Sequence, residues 1–275
     1  MTLINNLVDI LNNTKKQNPL IHQITNYVTV NDCANVTLAI GASPVMADDE
    51  AEVEEFVDIA STLLVNIGTL NKDIKTSITK ACKRAKEKGV PVILDPVGVG
   101  ASKFRKDFVN ELFETSKISC IRGNISEIKS ILNLSSNKKG ADVSKEDIES
   151  LENMASIAKT LANSLNLVVA ITGEIDVISD GKKVISIKNG NHLLTKITGT
   201  GCMCTSLVAS YCGVSKDKIY EATILGVITM GIAGEIAYEN SKNKGLGTFH
   251  KELFNAISNF NQEILIKKAN FQEIK

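Results

Sequence analysis

Short apolar runs alternate with amphipathic stretches along most of the chain. Residues 63–67 (LLVNI), 91–95 (PVILD), 118–122 (ISCIR) and 167–172 (LVVAIT) read as strands, the last unbroken as in parallel strands buried on both faces. Helices fall between them. Asn71 is placed to cap one whose apolar face is Ile74, Ile78, Ala81, Cys82 and Ala85, with Gly89 as its stop and Pro91 beyond. Ser102 predicts a cap for a helix over 103–115. Asn124 and Glu127 form an N-x-x-E start, a variant of the capping box. Ser144 is the expected start of a helix reaching about Ser164.

Residues 175–187 predict a hairpin turning at Asp180-Gly181. Helices are then expected over 200–213, 216–239 and 249–268, the last with Leu253, Phe254, Ile257, Phe260 and Ile264 at helical spacing. This strand–helix repetition predicts an α/β fold, a mostly parallel sheet with helices on both faces. No Pro/Gly/Ser-rich linker and no internal repeat divides the chain, so 1–275 is expected to be one domain. In such sheets ligands bind at the carboxyl ends of the strands.

Composition narrows the function classes. Hydrophobic residues make up 43% of 275, but aromatics only 4% with no Trp, so Ile, Leu, Val and Ala must build the core. The 31 basic and 31 acidic residues balance, which leaves no general field to attract nucleic acid or an anionic membrane. Any anion must be held by a local device. Six cysteines without a CxxC pair imply reduced thiols and a cytoplasmic location. Residues 1–19 lack the basic and apolar regions of a signal peptide. The run Ala222 to Ala237 is short for a membrane span and carries Gly226, Gly231, Gly234 and Glu235, so it predicts a buried helix.

The local device is Thr198-Gly199-Thr200-Gly201-Cys202, directly before an apolar helix. Two glycines allow a tight turn whose N–H groups face one point, and the helix start adds its positive end there. Gly199, Thr200, Gly201 and Cys202 are thus a candidate anion hole. Cys202 at the helix start is expected to have a lowered thiol pKa. A plain connector with a buried Cys fits the pentapeptide equally well. Zinc on Cys202 and Cys204 fits less, because no second Cys/His pair accompanies them.

Asp95 ends a strand ahead of Pro96, Gly98 and Gly100, and Glu127 lies just past another strand end. Both suit a Mg²⁺ that keeps most of its waters; a turn residue and a capping acid are the plainer alternatives. Arg122, also at a strand end, has the fork geometry that clamps phosphate. His22 to Val28 and Gly41 to Ala47, with Met46, have the small and apolar residues of a ligand pocket, or of ordinary core. No P-loop, no G-x-G-x-x-G after a strand and no HExxH occurs.

Five ordered blocks match a known family: HQITNYVTVNDCANVTLAIGASPVMADD (22–49), LDPVGVGAS (94–102), IRGNISEI (121–128), AITGEIDVISDG (170–181) and ITGTGCMCTSL (197–207). The chain resembles the hydroxyethylthiazole kinases of thiamine biosynthesis and salvage, in the ribokinase-like superfamily. The match spans nearly the whole chain, is weakest at 133–165 and at the C-terminus, and departs at no motif position. It implies a three-layer ribokinase-like fold, with Mg²⁺ as cofactor and ATP as co-substrate. The implied reaction is phosphorylation of the primary alcohol of 4-methyl-5-(2-hydroxyethyl)thiazole. It further implies Cys202 as catalytic residue, Asn26, Val28, Met46, Gly68 and Gly199 as thiazole contacts, Arg122 and Thr172 as ATP contacts, Asp95 and Glu127 as metal-side acids, and a homotrimer with active sites between subunits.

Related sugar and pyrimidine kinases usually carry Asp where this chain has Cys202. A hydroxymethylpyrimidine or sugar kinase is therefore the alternative inside the superfamily. Outside it stand a thiol hydrolase, with Cys202 as nucleophile and His22 or His192 as base, and a non-catalytic thiazole-binding protein.

Overall fold

Apolar side chains on alternate strand positions sort to opposite faces of one sheet, and that sorting sets the architecture. The computed structural model describes residues 2–136 and 150–274. In chain order the elements are α1 (Leu3–Gln17), β1 (Leu20–Ile24), α2 (Val30–Ala39), β2 (Ser43–Val45), α3 (Val53–Ile59), β3 (Thr62–Asn66), α4 (Lys72–Lys88), β4 (Val92–Asp95) and α5 (Lys103–Thr115). Then follow β5 (Cys120–Gly123), α6 (Ile125–Ser136), α7 (Leu151–Leu165), β6 (Val168–Ile171), β7 (Asp176–Ser179) and β8 (Val184–Ile187). A 3₁₀ turn (His192–Lys196) leads into α8 (Thr200–Cys212), α9 (Ile219–Ser241), α10 (Leu246–Ser258), α11 (Gln262–Lys268) and β9 (Phe271–Ile274).

The sheet runs β2-β1-β3-β4-β5-β6-β7-β8-β9. Pairing is parallel from β2 through β6 and antiparallel from β6 to β9. Leu64, Ile93 and Ala170 pack on one face with α1, α2 and α8–α11, whereas Leu63, Val65, Leu94 and Val169 pack on the other with α3–α7. Two helical layers around a central sheet make the three-layer α/β fold. Chain progression reverses between β1 and β3, and a crevice at the carboxyl ends is the expected binding place.

Local signals hold where side-chain chemistry decides. The Asn71 side chain accepts from Ile74 N, and Gly89 closes α4 at φ 66°. Ser102 caps α5 by accepting from Arg105 N. Asp180 Oδ1 accepts from Lys182 N and Lys183 N at the tip of the β7–β8 hairpin. Ser150 caps α7; the expected start at Ser144 lies outside the described residues. One expected helix is two. Phe260 is buried, and Asn261 caps a new helix by accepting from Glu263 N and Ile264 N, so 249–268 divides into α10 and α11. The edge strand β9 has no period-2 signal, because only its ends are part-buried. At 23 residues, α9 is long and apolar enough to cross a membrane by length and composition, although the run Ala222 to Ala237 within it is short for a span. Most of it is buried in the core formed with α8 and α10.

Candidate active site

Asn26 follows β1, Asn66 ends β3, Asp95 ends β4, Arg122 lies in β5 and Thr172 follows β6. All stand at the carboxyl edge, where the glycine turn enters α8.

Gly199 is the N-cap of α8 with φ 88°, and a Cβ there would lie 2.4 Å from Thr29 Cγ2. Both facts demand glycine. The first bond of the helix runs from Met203 N to Gly199 O (2.8 Å). The N–H groups of Thr200, Gly201 and Cys202 therefore have no carbonyl of their own helix to meet. A Cβ at 201 would lie 2.7 Å from Arg122 Nη1, so the guanidinium rests against the turn. Free N–H groups, a helix start and a cation converge as an anion cradle requires.

Cys202 is half-buried, and its Sγ accepts from Asn66 Nδ2 (3.2 Å) and Asn26 Nδ2 (3.4 Å). The lowered thiol pKa expected from the helix start is not found. Burial pushes it up and the Asp95 charge adds to this, with Thr29, Asn66 and Asn26 offsetting only part. At neutral pH this residue is a thiol.

Asp95 is fully buried. Its Oδ2 accepts from Asn66 Nδ2 (2.9 Å) and Thr205 Oγ1 (2.8 Å), with Arg122 Nη1 at 3.9 Å. Its Oδ1 has no hydrogen-bond partner. Burial raises the carboxyl to about 6 despite Arg122 and Thr205. Glu127 is the capping acid weighed for it. Its Oε2 accepts from Asn124 N (2.9 Å) and Asn124 Oδ1 accepts from Glu127 N (2.9 Å), a capping box. Its Oε1 accepts from Gly98 N (2.9 Å), which ties the loop after β4 to α6.

Arg122 Nη2 donates to Thr172 Oγ1, and Gly173 N donates to Asp176 Oδ1 (2.9 Å). These bonds fix the loop after β6 beside the cradle. Gly68 N donates to Asn66 Oδ1 (2.9 Å). Met46 is half-buried just past β2, whereas Val28 is 60% exposed, outside the buried cluster. Asn26 spends its amide inside the protein: Oδ1 accepts from Thr29 N and Thr29 Oγ1 (both 3.1 Å), and Nδ2 donates to Asn66 Oδ1 (3.1 Å) and Cys202.

Neither histidine is set as a base for Cys202. His22 Nε2 donates to Ala47 O (2.7 Å) within the core, and the exposed His192 lies edge-on to Tyr238. Among the described residues no group of three or more His, Cys, Asp or Glu side chains forms a metal cluster. Mg²⁺ needs few protein oxygens when substrate phosphates supply others. The unpartnered, buried Asp95 Oδ1 fits such a role. Glu127 fits it more indirectly, since each of its oxygens already accepts a backbone N–H.

Sequence reasoning passed over Asn66, Thr205 and Arg105. Asn66 is the one polar residue in the run LLVNI, a legible signal at a strand's end. Thr205 lies one turn beyond Cys202. Arg105 gave no signal, yet its Nη1 donates to Val97 O and its Nη2 to Gly68 O (both 2.7 Å), clamping the loops after β4 and β3 together.

The profile described as "Hydroxyethylthiazole kinase family" matches residues 11–263. The chain belongs to the hydroxyethylthiazole kinase family. A hydroxyethylthiazole kinase of Ruminiclostridium cellulolyticum is 50% identical over 265 residues, covering 96% of each chain. The solved hydroxyethylthiazole kinase of Pyrococcus horikoshii OT3 superposes with a TM-score of 0.89 at 35% identity, over 98% of this chain and 100% of that one. A ribokinase-like superfamily protein of Enterococcus faecalis, 11% identical, matches at a TM-score of 0.62 over 92% of this chain and 89% of its own. That likeness identifies the three-layer fold as ribokinase-like.

Proposed function

We propose that the protein transfers the γ-phosphoryl group of ATP to the primary alcohol of 4-methyl-5-(2-hydroxyethyl)thiazole, in thiamine biosynthesis or salvage. The observation that carries this reading is the cradle at 199–202, with Arg122 against its glycine and Cys202 at its inner edge. Membership of the family supplies the acceptor. The whole chain is taken as one kinase domain in the cytoplasm, in keeping with its six free thiols.

Phosphoryl transfer is mainly positioning and charge stabilisation. The Thr200, Gly201 and Cys202 N–H groups receive the negative oxygens of the group in flight, and Arg122 and Thr172 hold the nucleotide's phosphates. Asp95 and Glu127 would hold Mg²⁺, which would supply charge neutralisation on the polyphosphate when bound. Gly68, Met46, Val28 and the Asn26 segment border the acceptor side. Only the thiolate form of Cys202 accepts the alcohol's proton; the raised thiol pKa leaves little of it at neutral pH, and in a loose transition state that proton leaves late, so the transfer leans less on the base. The family resemblance supplies the homotrimer, with Tyr27 (79% exposed) and Val28 (60% exposed) beside the site as the edge that a second copy covers.

Phosphorus NMR of the product made from Mg-ATP and the thiazole alcohol tests the reaction. A monoester signal split by two methylene protons supports it; ATP left intact by folded protein counts against it. Cys202 in place of Asp separates this reading from a hydroxymethylpyrimidine or sugar kinase.

A further inference from the structure

The residue that touches most of the proposed site is one that neither the motifs nor the family resemblance singled out. Asn66 is 2% exposed at the carboxyl end of β3. Its Nδ2 donates to Cys202 Sγ (3.2 Å) and to Asp95 Oδ2 (2.9 Å). Its Oδ1 accepts from Asn26 Nδ2 (3.1 Å) and Gly68 N (2.9 Å). Two donors and two acceptor sites are all an amide side chain has, and all are in use. The orientation of the amide is fixed as well. Gly68 N can only donate, so the atom it meets must be the oxygen. The nitrogen then faces Asp95 and Cys202.

We infer that Asn66 is a positioning residue for the phosphoryl transfer, holding Cys202 Sγ as a hydrogen-bond acceptor at a fixed place relative to Asp95 and the Gly68 loop. The inference rests on the kinase reading for its kinetic consequence. Its structural half does not depend on which alcohol is the acceptor. Four site groups on four chain segments share this one amide, so a purely local structural role would leave its Cys202 and Asp95 bonds unexplained. An N–H donor aimed at sulfur favours the thiolate over the thiol. Removing it therefore raises the pH at which the sulfur ionises. Greater access after truncation would instead raise the rate plateau and leave that midpoint in place.

The test compares wild type, Asn66→Ala and the isosteric Asn66→Asp, each checked for fold by circular dichroism. Asn66→Asp keeps an oxygen for Asn26 and Gly68 but turns the donor edge into an acceptor, and it stands in if the Ala variant does not fold. Iodoacetamide labelling of Cys202, followed by peptide mass across pH, is read on protein without substrate; kcat and KM are read with Mg-ATP and the thiazole alcohol. We expect the labelling midpoint to move up by at least about half a pH unit and kcat to fall at least about tenfold, with KM for ATP within about threefold. A folded variant with the wild-type midpoint, or with kcat within about threefold of wild type, overturns the inference. Wild-type protein that fails to turn over the alcohol strikes the kinase reading instead, while the labelling profile still decides whether Asn66 holds the thiol.

Discussion

Asp95 stores a pH-dependent cost that a single substitution should release. Burial lifts its carboxyl from the ordinary Asp range to about 6. A carboxyl with a folded value above its unfolded one holds its proton more tightly in the fold. Its contribution to stability is fully present below about pH 4 and is lost as pH rises through about 6. The interval corresponds to about 3 kcal/mol at pH 8. Asp95→Asn mimics the protonated acid. Its amide oxygen can still accept from Asn66 Nδ2 and Thr205 Oγ1, and the amide nitrogen takes the place of the unpartnered Oδ1. Arg122 loses its nearby anion in the variant, but protonating Asp95 removes that attraction too, so the interval already contains it. Without Mg²⁺ or nucleotide, Asp95→Asn should match wild type near pH 4. At pH 8 it should be more stable by up to about 3 kcal/mol, about 5–10 °C in Tm. Thermal melts across pH read this directly. A difference that stays flat with pH, or a variant less stable at pH 8, refutes the reasoning. The same variant should lose turnover, since Asp95 is the proposed metal-side acid.

Other expectations follow from the same geometry. Cys202→Ala should keep its fold and lower kcat by about tenfold to a hundredfold, at or below the usual worth of a general base. Cys202→Asp, whose carboxylate meets the same two amide donors, should restore or exceed wild-type activity. Wild-type kcat should rise with pH into the alkaline range as the thiol ionises, while Cys202→Asp stays flat there; parallel pH–rate profiles check both. Gly199→Ala combines a left-handed φ with a clash against Thr29, and should cost about 1–3 kcal/mol in denaturant melts along with most activity. Arg105→Lys loses the fork between Val97 O and Gly68 O; KM for the alcohol should rise about threefold to tenfold with KM for ATP little changed in steady-state assays.

Much of this is legible in the sequence. Caps at Asn71, Ser102 and Asn124 declare themselves because a short polar side chain meets a backbone N–H within three residues, an interaction local in sequence. The glycine turn was legible for a related reason, since its backbone demands show as residue type. What stayed hidden is long-range. The bonds from Asn66 to Cys202, from Thr205 to Asp95 and from Arg105 to Gly68 join positions far apart in the chain. The thiol at 202 misled in the opposite direction. Its place at a helix start suggests a low pKa, but burial and the Asp95 charge, neither visible in the pentapeptide, push the thiol up. The break between α10 and α11 turns on Asn261 acting as a cap inside an otherwise continuous apolar pattern.

The most direct measurement is ADP release by purified protein given Mg-ATP with hydroxyethylthiazole, hydroxymethylpyrimidine or ribose in parallel. The account predicts ADP with the thiazole alcohol alone, abolished when Mg²⁺ is chelated. ADP formed with a different alcohol, or with none of them by folded protein, would contradict it.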